Sequence, residues 1–102
     1  MNISFDYDGV LSTAPGRALA AIKIKQGHTV YIVTARQKRD SEDVYATAKE
    51  LGIPRTRVYF TEGADKWKTI KHIGIQMHYD NNVEQVDKIR TNTNSQAQLY
   101  KP

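Results

Sequence analysis

Asn2-Ile-Ser-Phe-Asp-Tyr-Asp-Gly-Val-Leu11 is the stretch on which the reading of this chain turns. A short apolar run carrying Ile3 and Phe5 stops abruptly at two aspartates, Asp6 and Asp8, followed by Gly9. Such a pattern describes a strand that empties into a site. Carboxylates two positions apart on an extended chain point to opposite faces, so Asp6 and Asp8 share one centre only if the backbone turns between them. Gly9 permits the turn because it has no side chain to forbid unusual backbone angles. Two carboxylates crowded at a strand's carboxyl end repel each other unless a cation lies between them, and the economical cation is Mg²⁺. Alone, the same residues also describe a surface turn rich in Asp and Gly, so the remaining chain has to decide.

Working outward, Ser12–Gly16 reads as a turn whose Pro15 suits the first turn of a helix. Arg17–Gln26 then sets Leu19, Ala20, Ile22 and Ile24 among basic residues and closes at Gly27. His28–Thr34 is β-branched and aromatic throughout, as expected of a strand buried on both faces of a parallel sheet. Its terminal Thr34 offers a hydroxyl, with the neighbouring backbone N–H groups, to an anion, or serves as a helix cap or turn residue. Ser41, Glu42 and Asp43 open a second helix bearing Val44, Ala48 and Leu51, which Gly52-Ile53-Pro54 stops. Arg55–Thr61 holds a third strand, Val58-Tyr59-Phe60.

Glu62–Lys66 leads into a helix with Trp67, Ile70 and Ile73, ended by Gly74. A lysine in a helix's first turn opposes the dipole, so Lys66 invites a reason for being there; otherwise it is a solvated surface lysine. Ile75–Asp80 is the fourth strand and again closes on an aspartate, followed by Asn81-Asn82. Val83–Arg90 forms the last helix with Val83, Val86 and Ile89 inward, Thr91–Gln98 is polar and loop-like, and Leu99-Tyr100 adds a brief edge strand. The alternation of strand and helix predicts a parallel sheet with right-handed crossovers.

Composition bounds the rest. A chain of 102 residues, 39% of them hydrophobic, suits a single domain over 1–102 with a modest core. Without cysteine there is no disulfide framework and no thiolate metal site, which is compatible with a reducing cytoplasm. No apolar run approaches a membrane span, and the amino terminus lacks the basic and apolar regions of a signal peptide, so a cytoplasmic protein without membrane contact is expected. The net charge is +4, from 15 Lys and Arg against 11 Asp and Glu, with several acids committed to one place. The surface therefore either attracts anionic substrates or carries ordinary solubilising charge. Its basic residues are dispersed, with no aromatic-interleaved stretch marking a nucleic-acid module.

Four short motifs stand at strand ends or helix starts: Asp6-Tyr-Asp8-Gly-Val-Leu, Val33-Thr-Ala-Arg36, Lys66 within Asp65-Lys-x-x-x-Ile-x-x-Ile-Gly-Ile75, and Asp80-Asn81-Asn82. In that order they resemble the haloacid dehalogenase superfamily of phosphotransferases. The resemblance implies a three-layer α/β/α Rossmann-like core, a mainly parallel sheet of four to five strands in the order 5-4-1-2-3, and no cap domain, since too few residues follow the first strand to build one. It implies Asp6 as the nucleophile, Asp8 as general acid and then base, and Lys66 neutralising nucleophile and phosphate, with Lys68 as the fallback. Thr34 and Ala35, with Lys66, would bind the phosphoryl group. Asp6, Asp8 through its carbonyl, and Asp80 would hold Mg²⁺ in an oxygen-only site.

Asn81 departs from the family's second acid at that position. Its amide either hydrogen-bonds metal-bound water or coordinates through its carbonyl oxygen, with Glu84 or Asp87 placed to restore the missing charge. His78 and Tyr79 read as packing residues. The implied activity is a Mg²⁺-dependent phosphomonoesterase working through an aspartyl-phosphate. Its substrate would be a small phosphorylated molecule, a nucleotide or a nucleic-acid end; the Thr-Ala-Arg and Leu-Gly-Ile-Pro segments look somewhat like the phosphatase domain of polynucleotide kinase-phosphatases. A neighbouring subunit could substitute for the cap. The other reading is a binding or regulatory module of the same fold with little turnover, motivated by Asn81 and the missing flap.

Overall fold

Ile3 and Phe5 project from one face of the first strand, β1 (Asn2–Phe5), and Ser4 from the other, all three shut away from solvent. A strand buried on both faces needs a covering layer on each, and β1 is the centre of a five-stranded sheet. The structure is a computed structural model describing every residue, Met1–Pro102. Around β1 stand β2 (Thr29–Thr34), β3 (Val58–Phe60), β4 (Met77–Asp80) and β5 (Gln96–Leu99) in the order β3-β2-β1-β4-β5, or β5-β4-β1-β2-β3 from the other edge. Every neighbouring pair is parallel.

The connections are helical: α1 (Ala14–Lys25), α2 (Glu42–Leu51), α3 (Trp67–Ile73) and α4 (Val83–Asn92). Ala20 of α1 and Val44 and Ala48 of α2 join Ile3, Phe5, Val30 and Ile32 in one apolar cluster. Ile70 of α3 and Val86 and Ile89 of α4 join Val33 and Ala97 in a second. Ile32 and Val33 are adjacent on β2, so their side chains leave opposite faces of the sheet. No helix is long and apolar enough to cross a membrane.

Three sequence expectations are corrected. The edge strand expected at Leu99-Tyr100 is β5 at Gln96–Leu99, starting three residues earlier within the stretch expected to be loop, because its order comes from backbone pairing with β4 while only Ala97 is buried. An edge strand with one buried side chain leaves no alternating pattern to read. Val83 is 56% exposed rather than inward; it directly follows the Asn82 cap, before the helix turns its apolar side to the core. The first helix starts at Ala14, ahead of Arg17, because the Thr13 side chain caps it by accepting the Gly16 N–H at 3.2 Å.

Directly after β1 the chain winds through one wide helical turn, Tyr7–Leu11, broken internally at Asp8 (ψ 118°) and Gly9 (φ 81°). The predicted turn is therefore present, and it aims the two aspartates differently.

Candidate active site

Asp6 follows the end of β1, Thr34 and Asp80 end β2 and β4, and Lys66 immediately precedes α3, so all reach the carboxyl edge of the sheet. Ligands of open parallel sheets gather at that edge. Lys66 is 3% exposed, and its Nζ donates to Asp6 Oδ1 at 2.8 Å and to Asp80 Oδ2 at 2.7 Å. The oddly placed lysine thus has its reason: two buried carboxylates outweigh an unfavourable helix end. Its backbone N–H is also met, by Gln85 Oε1 at 3.0 Å. Lys68 instead lies exposed, its ammonium over the Trp67 ring.

One ammonium between two carboxylates leaves a negative charge uncompensated. The imbalance falls on Asp6, whose carboxyl is pushed up to about 6, chiefly by burial and with Asp80 adding repulsion, although Lys66 pulls the other way. Asp80 is held down at about 2 because hydrogen bonds from His78 and Lys66 and the Lys66 charge together outweigh its burial. Its Oδ1 accepts the Asn82 N–H at 3.0 Å. Asn82 in turn caps α4, its side chain accepting the Glu84 and Gln85 N–H groups.

Asn81 reaches the same corner. The atom of its amide nearer Asp6 lies 3.0 Å from Asp6 Oδ2 and 3.3 Å from the Asp8 carbonyl oxygen. As nitrogen, that atom donates to both. As oxygen, it completes a trio of oxygens with no hydrogen among them, an arrangement that a cation would hold together. Gly9 makes this approach feasible, since a β-carbon there would collide with the Asn81 amide.

Asp8 behaves differently from Asp6. Its side chain is 57% exposed and points away into the fork of Arg36, which binds it through Nε at 3.0 Å and Nη2 at 2.9 Å. Arg36 Nη1 meanwhile holds Asp43 at 2.6 Å and the Asp40 carbonyl at 3.0 Å, and the guanidinium lies 5.1 Å from the centre of the Tyr7 ring. The arginine pKa rises accordingly, Asp8 being the main cause. Only the Asp8 carbonyl faces the Asp6 corner. Thr34 is fully buried, its hydroxyl accepting the Arg36 N–H at 3.3 Å, while Ala35 is exposed beside it.

Glu84 does not approach the cluster; it is exposed and pairs with Lys88 at 3.1 Å. Asp87 is likewise exposed. Two residues were missed as site partners. His78, read as packing, is wholly buried and bonds Asp80 Oδ2 through Nε2 at 2.8 Å, and Ser4 bonds its other nitrogen. Burial and the nearby Lys66 pull the His78 pKa down, against its bond to Asp80. A histidine two residues before a strand-ending aspartate shares that aspartate's face, which was the available signal. The sequence matches no protein-family model and no curated protein.

Proposed function

We propose that the chain is a Mg²⁺-dependent phosphomonoesterase of the haloacid dehalogenase type, without a cap, working through an aspartyl-phosphate on Asp6. The observation that carries the proposal is the meeting of Asp6, Lys66 and Asp80 in one buried cluster at the strand ends. The two apolar clusters on opposite sides of β2 support the three-layer arrangement expected of that family. A chain without cysteine suits the cytoplasm.

The donors fit a hard cation: Asp6 Oδ2 and the Asp8 carbonyl are oxygens, the Asn81 amide adds a third when turned oxygen-first, and the cluster's excess negative charge favours a divalent ion. Asp80 has both lone pairs of Oδ2 engaged and would reach such an ion only through Oδ1. Bound Mg²⁺ would neutralise charge on the nucleophile and on the phosphoryl oxygens.

The chain's own residues perform the steps. An Asp6 carboxylate oxygen attacks phosphorus in line, and the bond from phosphorus to the ester oxygen breaks. Asp8 gives its proton to the departing alcohol, then takes one from the water that cleaves the aspartyl-phosphate. Thr34 and the Ala35 N–H hold phosphoryl oxygens, and Lys66 offsets their charge. To serve this way the Asp8 side chain must leave the Arg36 fork and turn toward Asp6. A substrate phosphate, competing for the same guanidinium, is the natural trigger. The absence of a cap suits large phosphorylated substrates such as nucleic-acid ends, or a lid lent by a neighbouring subunit.

The Arg36 fork also supports the second reading, a binding module in which Asp8 stays tied. Release of nitrophenolate from an aryl phosphate with Mg²⁺, lost in EDTA, is the expected result. Asp6→Asn should reduce turnover at least about a thousandfold without unfolding the protein, as expected when a covalent nucleophile is removed. Mg²⁺-dependent turnover surviving in Asp6→Asn would overturn the assignment. Phosphate-analogue binding without turnover on any phosphorylated oligonucleotide, nucleotide or aryl phosphate would favour the module.

A further inference from the structure

Ser4, His78 and Asp80 are sealed from solvent, and each ring nitrogen of His78 has one partner. Nδ1 lies 2.6 Å from Ser4 Oγ and Nε2 lies 2.8 Å from Asp80 Oδ2. The parallel register sets Ser4 directly beside His78 on the neighbouring strand, so the contact is built into the sheet. The direction of each bond follows by elimination. An ionised Asp80 can only accept, so His78 Nε2 carries the hydrogen. In a neutral ring Nδ1 then presents a lone pair, and only the Ser4 hydroxyl is there to fill it.

We infer that Ser4 and His78 are positioning residues for this centre. The relay from the Ser4 hydroxyl to Nδ1 and from Nε2–H to Asp80 Oδ2 fixes the rotation of the Asp80 carboxylate. The same Oδ2 accepts Lys66 Nζ at 2.7 Å, so the relay also sets the ammonium against Asp6. Oδ1, which accepts the Asn82 N–H at 3.0 Å, keeps the one unengaged lone pair of the carboxylate. A quarter-turn of the carboxylate would take both oxygens off these partners, in a location where lost partners are not replaced by solvent. Partners behind a metal-binding group act in this way on its orientation and basicity. The use of this centre for a cation rests on the phosphotransfer reading; the relay itself does not.

Two measurements on the full chain separate the two claims. Long-range proton–nitrogen correlation spectra, with His78 assigned by its disappearance in His78→Gln, should show hydrogen on Nε2 and none on Nδ1 at neutral pH. In Ser4→Ala the hydrogen should stay on Nε2, held by Asp80, while the Nδ1 resonance moves as it loses the hydroxyl that filled its lone pair. A wild-type ring protonated on Nδ1 overturns the relay, as does an unchanged spectrum in Ser4→Ala.

Calorimetric titration with MgCl₂ tests the consequence. His78→Leu should weaken Mg²⁺ binding about tenfold or more, the usual cost of removing such a partner, while His78→Gln, which restores an N–H near the place of Nε2, should recover most of it. Ser4→Ala, which keeps the ring, should weaken binding in the same direction but less than His78→Leu, being one bond further from the carboxylate, and serves if His78→Leu does not fold. Wild-type affinity in folded His78→Leu, or in Ser4→Ala where the leucine variant is unfolded, overturns the positioning role. No Mg²⁺ binding by the wild-type chain overturns the metal reading, and the spectra then decide the relay alone.

Discussion

Lys66 is the residue on which the cluster's electrostatics depend. Lys66→Met would leave Asp6 and Asp80 facing each other in a buried place, a loss of about 3–5 kcal/mol at neutral pH by analogy with other broken buried pairs. Urea unfolding should show it, with partial recovery at pH 5, where Asp6 can take up a proton. The intact protein has its own pH dependence. Asp6 has a folded pKa near 6, above the ordinary carboxylate value, so its contribution is full below about pH 4 and is lost as pH rises through 6. Asp80 sits near 2, so its contribution is present above about pH 4 and is lost as pH falls toward 2. In EDTA, melting temperature should therefore be higher at pH 5 than at pH 7.5, and Asp6→Asn should flatten that difference. A steeper fall in Asp6→Asn would show that another group is responsible. The lysine was legible in the sequence because it contradicted the helix dipole. The Asn81 approach was not, because it depends on where a glycine 72 positions earlier lets its amide lie.

At the scale of elements, the wide turn Tyr7–Leu11 carries the most information per residue. It bends at Gly9, at φ 81°, and delivers the Asp8 carbonyl to the Asn81 amide beside Asp6 while sending its carboxylate to Arg36. Gly9→Ala adds both left-handed backbone strain and a collision with Asn81. It should cost about 1–3 kcal/mol, typical of one residue held in a disfavoured backbone region, and should impair Mg²⁺ binding more than it lowers stability. Thermal melts beside Mg²⁺ titration would separate these effects. The strands of the central sheet were readable because burial on both faces demands the Val and Ile runs of β2. The bounds of β5 were not, although an edge strand was expected at Leu99-Tyr100: Gln-Ala-Gln-Leu has no hydrophobic face to mark where it starts. α4 began where expected, but its first apolar residue is turned to solvent, because an amphipathic period says nothing about which end the core reaches.

For the molecule as a whole, Phe5 ties core to site. It is completely buried on the central strand, stacks 4.9 Å from the Tyr79 ring, and immediately precedes Asp6. Phe5→Ala should cost about 3–5 kcal/mol, enough to consume much of a small domain's stability, and denaturant midpoints would register it. A loss below about 1 kcal/mol would mean that the sheet tolerates a cavity beside the carboxylate cluster. The alternation of elements, and hence a parallel sheet, was available from the chain alone. The hydrogen-bonded layer behind the carboxylates was not, because it depends on registers between strands far apart in sequence.

Ser4 and His78 are 74 positions apart and yet hold the same carboxylate in place. During synthesis on the ribosome, β1 and β2 can pair early, but Asp6 has no lysine or partner acid until the fourth strand emerges and docks against the first. Nascent chains stalled short of Asp80 should therefore expose a solvated Asp6 with an ordinary acidity, and the cluster would assemble in one step as the crossover through α3 closes.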